Sequence, residues 1–541
     1  MASAEFEAAA EPAAAPLSGT GSGTSSGVSR RGLLGAAAVI ALGNILSRGL
    51  GLVRDIVITA TFGRTASTDA YVLARTLPQI VYDLLVGTVI TAAFVPVFVQ
   101  VGRDDERQLW RLVSTILSLA TLALVAITAV LGIFAEPLVG LLGSGFTEPG
   151  QRGLATSLLR IALVSVVFQG VTGIFTSVLY ARNRFTITAF ATAIYNVGII
   201  AGVLLLGATL GVTALALGLV IGAVAQCLLQ ASGLRDFWRA FRPVVDLRDP
   251  ALRRILVLGG TVATGMLVSI AGQLIDRNLA SRLPEGSLSS MQYATTVVQF
   301  PLGIVGLAVS FAVLPTLARF SDGSPESAAG YRDALVFGMK LLLLLMLPAL
   351  AGLLVLAHPI IAVLFERRAF TPEDTAGTAA VFMAYVPQLP LTAIDYLLIN
   401  AFYARQNART PVVVGAVCVL VYLVVALGLI GPLGVVGLAL ANAVQNSAHA
   451  VILLVLLRRA LPDLRLAHAL GPFLVRVVPA AVAMGGVLAL VWPFLSRAGG
   501  LVGLCAAIAI GGVVYAALIH AFGVQESRAV VRLARARLAS R

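Results

Sequence analysis

Polar residues are scarce along most of this chain, and where they gather they divide it into long apolar runs. From Gly32 onward fourteen runs follow one another, at about residues 32–60, 69–100, 110–142, 153–180, 185–207, 211–234, 254–281, 288–318, 335–365, 375–403, 411–430, 433–457, 469–495 and 500–521. Each is long enough for an α-helix, rising about 1.5 Å per residue, to cross a hydrocarbon core of about 30 Å. Inside lipid the backbone must satisfy its own hydrogen bonds, and a long single run does so as a helix. The pattern predicts an all-α polytopic membrane protein of about 14 transmembrane helices. Residues 1–31 have almost no large apolar side chain and are expected to form a disordered cytoplasmic tail. Their GTGSGTSSG stretch imitates a nucleotide loop, but no strand precedes it. Ser29 to Leu34 resembles a twin-arginine export signal, yet the apolar run continues into Arg48 and Arg54 without a cleavage pattern.

The runs repeat. Tyr180-Ala181-Arg182 recurs as Tyr403-Ala404-Arg405, and Leu210-Gly211-Val212 as Leu433-Gly434-Val435, each 223 residues on. Leu215-Ala216-Leu217 recurs at the same distance as Leu438-Ala439-Leu440, and Phe146-Thr147 pairs with Phe370-Thr371 at 224. Phe94-Val95-Pro96, ending the second run, is echoed by Val313-Leu314-Pro315 at the end of the eighth. Six helices per copy is an even number, so both copies enter the membrane in the same direction. They should form two parallel six-helix lobes about an axis along the membrane normal, with a substrate site between them. The expected division is an N-lobe at 32–238, a cytoplasmic linker and C-lobe at 239–460, two extra C-terminal helices within 461–521, and a basic cytoplasmic tail at 522–541.

Composition sharpens this picture. The chain is 59% hydrophobic and 12% charged, which excludes a soluble globular enzyme and a disordered protein alike. Its net charge of +13 comes almost wholly from arginine, since Lys340 is the only lysine. In so apolar a chain such an excess belongs to cytoplasmic loops rather than to a nucleic-acid surface. With the N-terminus inside, the cytoplasmic segments hold 26 basic residues and the external loops six, so both termini are placed in the cytoplasm. Cys227, Cys418 and Cys505 lie far apart in apolar runs and read as packing residues. The four histidines are scattered and fit no metal motif, Asp104-Asp105 reads as a solvated loop end, and no phosphate loop for an ATP-driven pump appears. No cofactor, no metal and no enzymatic activity are expected.

The informative residues are charges inside the runs, because a charge in hydrocarbon costs several kcal/mol and must face a cavity or a partner. Ser47, Arg48, Arg54 and Asp55 flank Gly49 and Gly51 in the first run. The second opens with Asp69 and carries Arg75, Gln79 and Asp83, and the seventh ends with Asp276-Arg277. Arg160 and Arg277 lie near helix ends, where snorkelling to the interface is the alternative to lining a cavity. Arg476, near the start of the thirteenth run, reads as an interface anchor. Asp276 either lines the cavity or only neutralises Arg277 or Arg54. A cavity lined by several guanidinium groups suits an anionic, phosphate-bearing substrate. Gln169, Asn196, Gln226, Asn442 and Gln445 read as bridges between helices.

Asn44 to Asp55 (NILSRGLGLVRD), followed by Phe62-Gly63 and Thr68-Asp69-Ala70-Tyr71, resembles the start of the MurJ/MviN lipid II flippases. Leu77-Pro78, Ala93-Phe94-Val95-Pro96, Leu283-Pro284-Glu285-Gly286, Phe300-Pro301-Leu302-Gly303 and Ala401 to Gln406 with Thr410-Pro411 extend the resemblance over all fourteen runs. It implies the fold of the multidrug/oligosaccharidyl-lipid/polysaccharide exporter superfamily and outward translocation of an undecaprenyl-diphosphate-linked peptidoglycan precursor in a bacterial cytoplasmic membrane. It also implies substrate handling by Ser47, Arg48, Arg54 and Asp69, with cell-wall synthases as the class of protein partner. The chain departs from the family's pattern where it has Tyr82 after Leu-Pro in the second run and Thr295-Thr296 in the eighth. Arg75 and Arg277 are the arginines it offers instead; a different substrate or lost activity are the other readings. Competing functions are a flippase for another polyprenyl-linked glycan, a cation-coupled drug exporter, a non-transporting cell-wall scaffold and a membrane glycosyltransferase. The predominance of deep arginines over acids in the first lobe argues against the exporter, and the short external loops argue against the transferase.

Overall fold

The computed structural model describes residues 30–84, 93–242, 246, 249–320, 325–461, 465–524 and 526. The expected N-terminal tail up to residue 29, and the basic tail from residue 527, lie outside the described residues. Among the described residues the chain is helical, and ten helices are long and apolar enough by themselves to cross a membrane. Wherever they are described, the fourteen predicted runs fall mainly on helix, with turn residues such as Arg75, Phe134 and Leu356 inside them.

The first run is α1 (Arg30–Phe62). The second begins as α2 (Ala66–Ala74) and α3 (Thr76–Tyr82) and resumes as α4 (Val95–Asp104). The third is α5 (Glu106–Ile133) with α6 (Ala135–Leu142), and α7 (Pro149–Ala181), α8 (Phe185–Leu210) and α9 (Thr213–Ser232) complete the N-terminal half. A short α10 (Arg235–Ala240) leads to α11 (Pro250–Ser281). The eighth run is α12 (Ser287–Pro301), a π turn at Leu302–Gly306, and α13 (Leu307–Arg319). Then come α14 (Pro325–Val355), α15 (Ala357–Phe365), α16 (Pro372–Tyr385) and α17 (Leu389–Ala404). A continuous α18 (Arg409–Ala460) bends at Gly434 into two arms, and α19 (Leu466–Leu495) with α20 (Gly500–Ala521) ends the described fold.

Proline sets several of the breaks that apolar runs alone do not reveal. A proline has no N–H for the carbonyl four residues back, and its ring crowds that carbonyl. Pro78 therefore interrupts the second run at Arg75, Pro137 the third at Phe134, and Pro359 the ninth at Leu356. The helix starts are read more directly from side chains. Thr65 and Thr371 each form a capping box with the residue three further on, and Asp105 and Asp249 each accept an N–H of the first turn.

The internal repeat is present in the backbone itself. Gly63 and Gly286, Asn183 and Gln406, and Gly211 and Gly434 are three pairs 223 residues apart, and all six residues have positive φ. Asn183 and Gln406 end α7 and α17 in the same way, each with its own N–H on the Tyr carbonyl three back and the next N–H on the carbonyl five back. Gly211 (φ 55°, ψ −140°) and Gly434 (φ 55°, ψ −131°) occupy a region closed to side chains and turn α8 into α9 and the first arm of α18 into the second. The breaks at Phe134 (φ −87°, ψ 16°) and Leu356 (φ −97°, ψ 17°) also correspond.

Large apolar side chains such as Leu122, Leu205, Val424 and Leu490 remain exposed, as a lipid-facing surface requires. Buried between the helices lie polar groups that lipid would not tolerate, including Asp55, Asp69, Gln169 and Asn196.

Candidate functional site

A cavity of about 680 Å³ lies between the two halves, walled by α1, α2, α3, α11, α12, α17 and the second arm of α18. Arg48, Arg54, Arg75 and Arg277 all reach it, together with Asp83, Asp276 and Asp395. Gln79, Gln273, Gln292, Gln299, Asn442 and Asn446 add neutral polar lining. Of the residues expected at the site, Arg48, Arg54, Arg75, Asp276 and Arg277 are therefore brought together. Arg54 and Arg277 are 223 residues apart, so the repeat sets matching guanidinium groups on opposite walls.

Arg54 is held firmly. Its Nε and Nη2 donate to Asp55 Oδ1 at 2.8 and 2.7 Å, and its Nη1 donates to Asn196 Oδ1 at 3.1 Å. Asp55 Oδ2 accepts the Thr296 hydroxyl at 2.8 Å. Thr296 thus satisfies the buried partner of Arg54. Asn196 bridges α8 to α1, as expected, by donating to the Ser47 carbonyl at 3.2 Å and to Thr192 of its own helix. Ser47 enters this network through its backbone and does not line the cavity.

Arg48 crosses to the other half. Its Nη1 donates to the Gln299 carbonyl at 3.2 Å, and its guanidinium occupies the space that a Cβ on Gly303 would need. Glycine in the π turn is therefore what admits Arg48. Asp276 accepts the Tyr422 hydroxyl at 2.6 Å. Of its two readings Asp276 follows the first, lining the cavity, and its bond with Tyr422 ties α18 to α11. Tyr82 is absent from the described cavity lining, whereas Thr295 and Thr296 are on it.

Asp69 stands elsewhere. The resemblance implies substrate handling by Asp69, yet it is absent from the cavity lining; it is 3% exposed and grips the opposite half. Its Oδ2 accepts the Gly286 N–H at 2.7 Å, and its Oδ1 accepts the Ser289 N–H and hydroxyl, both at 2.8 Å. The N-terminus of α12 has no cap from its own chain neighbourhood, and Asp69 supplies that cap from the other half. Arg64, in the loop between α1 and α2, seals the same end by donating to the Gly286 carbonyl at 3.0 Å and lying 3.9 Å from Asp374. Ala66 N–H to Glu285 and Gly145 N–H to Ser281 join the halves beside it.

A family model described as lipid II flippase MurJ matches residues 58–510. The chain belongs to the MurJ lipid II flippase family. It is 31% identical over 466 residues to a probable lipid II flippase MurJ of Haemophilus influenzae, covering 83% of this chain and 90% of that protein. A probable MurJ of Thermotoga maritima is 32% identical over 419 residues, covering 76% and 83%. Among solved structures, lipid II flippase MurJ in an inward closed conformation matches with TM-score 0.76 at 23% identity, covering 90% of this chain and 98% of that one. An inward-facing multidrug resistance transporter of the MATE family matches with TM-score 0.66 at 13% identity, covering 79% and 99%. These two likenesses show the shared fold.

Proposed function

We propose that this chain moves lipid II from the inner to the outer leaflet of a bacterial cytoplasmic membrane. The observation that carries this reading is the convergence of Arg48, Arg54, Arg75 and Arg277 on one cavity between the halves, in a chain of this family. A diphosphate offers several acceptor oxygens and about two negative charges, which guanidinium forks meet with paired charge-assisted bonds. Arg54 arrives already oriented by Asp55 and Asn196, so little side-chain freedom is lost on binding. Asp395 on the cavity wall is paired with His449, which lessens the acidic charge facing the anion. The sugar headgroup crosses through the cavity while the polyprenyl tail stays in the bilayer.

The loop arginines favour both termini in the cytoplasm, which makes the end sealed by Asp69 and Arg64 the external one. The lipid then enters from the cytoplasmic leaflet, and its release requires the Asp69 clamp to open. Cell-wall synthases are the partners that would take up the product. The same four arginines weigh against export of cationic drugs, despite the fold shared with MATE transporters.

The test is exposure of the lipid-linked precursor at the outer face of flippase-depleted bacteria expressing variants at equal levels. Arg54→Lys should transport poorly, because a point charge does not reproduce the planar fork. Arg54→Ala, which also strands Asp55, should fall further. Full activity of the double variant Arg48→Ala, Arg54→Ala would overturn the phosphate grip.

A further inference from the structure

Asp395 and His449 form an ionisable pair inside the C-terminal half that phosphate capture leaves unused. His449 Nδ1 lies 2.7 Å from Asp395 Oδ1, and its Nε2 lies 3.2 Å from the Pro411 carbonyl oxygen. A carbonyl oxygen can only accept, so Nε2 carries a hydrogen. The short contact at Nδ1 also needs a hydrogen, because a bare nitrogen and a carboxylate would oppose two lone pairs. The geometry therefore fits one shared proton, the pair being neutral overall whether drawn as imidazolium and carboxylate or as imidazole and carboxylic acid. Its side chains are 14% and 13% exposed, and Asp395 borders the polar cavity, which gives a proton a watery path.

The three attachment points sit on different spans: Asp395 on α17, Pro411 on the first arm of α18 and His449 on the second. Removing the shared proton leaves one ring nitrogen bare, facing either the carboxylate or the Pro411 carbonyl with two lone pairs opposed, so these spans must shift or part. Other ionisable groups surround the pair. Tyr396 on α17 and Cys418 on α18 lie within electrostatic reach of Asp395, and Arg48 of α1 reaches Tyr396 across the cavity. Arg48 is engaged with Gln299, and Tyr331 of α14 donates to Ala401 further along α17. Asn446, one turn before His449, donates to Gln388 and Asn442.

We propose that Asp395 and His449 are a proton-binding site that couples a transmembrane proton gradient to rearrangement of the C-terminal half, and so to movement of the cargo. The cargo link rests on the flippase reading above; the proton site itself does not. One proton is taken up and one released per cycle, and no bond to the cargo is made or broken.

Two measurements on the full chain in lipid separate these claims. The first is nitrogen NMR of protein labelled at its four histidines, with His449 assigned by its loss in His449→Gln. Its resonances should change between about pH 5 and about pH 9 in the wild type. In Asp395→Asn the amide can donate to Nδ1 permanently, which preserves the loaded geometry, and the change should vanish. A wild-type His449 signal unaffected by pH, or a change unaffected by Asp395→Asn, would overturn the site. No lipid II is needed for this result.

The second measurement follows lipid II across proteoliposomes under a gradient of about two pH units. The wild-type rate should change about tenfold, and Asp395→Asn should remove that response while its NMR spectrum still reports a folded protein. Wild-type transport indifferent to the gradient would overturn the coupling. Absence of any lipid II movement in the wild type would strike the flippase reading, and the histidine spectra would still decide the proton site.

Discussion

Replacing Asp69 by Asn should loosen the sealed end of the molecule without unfolding either half. The wild-type carboxylate accepts three bonds across the interface, two from Ser289 and one from Gly286. Asn keeps one oxygen for Ser289 and turns an amide N–H toward the Gly286 N–H, where two donors repel. One charge-assisted bond is lost, at about 1.5–3 kcal/mol, and two others weaken by up to about 1 kcal/mol each. Relief of the cost of burying a carboxylate offsets part of this. A net shift of about 2 kcal/mol remains, which changes the ratio of closed to open molecules by about 30-fold. Spin labels on cysteines at Thr147 and Glu373, exposed on opposite halves, would report it in a chain whose own three cysteines have been replaced. Pulsed-EPR distances should gain a longer population in Asp69→Asn. Superimposable distributions in wild type and variant would refute the idea that Asp69 is a clamp.

Three further outcomes follow from the same geometry. Gly434→Ala and Gly211→Ala introduce a Cβ that meets nothing within 4 Å, so the backbone alone is strained, and each should cost about 1–3 kcal/mol in thermal unfolding in detergent. Thr296→Val keeps the shape but leaves an Asp55 oxygen without its donor; precursor exposure should drop clearly, and wild-type exposure would show that Arg54 satisfies Asp55 unaided. Arg476→Ala, exposed on α19 and outside the central cavity, should stay within about twofold of wild type, since an exposed side chain away from the site contributes little. A loss above tenfold would bring the two extra helices into transport.

The spans were legible because lipid imposes a length and an apolar composition on every crossing helix. Their internal breaks were less so, since Pro78, Pro137 and Pro359 sit within apolar runs and act on carbonyls four residues back. The cavity arginines could be named in advance because a charge in a crossing helix needs a wet or paired environment. Their partners could not. Thr296 is 241 residues from Asp55, and Ser289 is 220 from Asp69; both contacts exist only once the halves pack. The clamp made by Asp69 is hidden for the same reason: its charge is visible in sequence, but the uncapped helix it meets is not. His449 fits no local motif, and only the packing of α17 against α18 gives it a carboxylate. The match of Arg54 with Arg277, by contrast, was already available in the 223-residue offset.

A frame built twice from one plan would answer any stimulus with the same movement in both halves, leaving their relation unchanged. Matched positions here break that equivalence. Thr172 and Gln226, both buried and neither ionisable, stand where the second half has Asp395 and His449, while Ala271 stands opposite Arg48. On the two proposals above, charge from a passenger acts mainly on the first six helices, and a change in acidity on the next six. A stimulus to one half becomes a twist of that half against its twin. Doubling either half should therefore yield a molecule that keeps its outline but can no longer be driven.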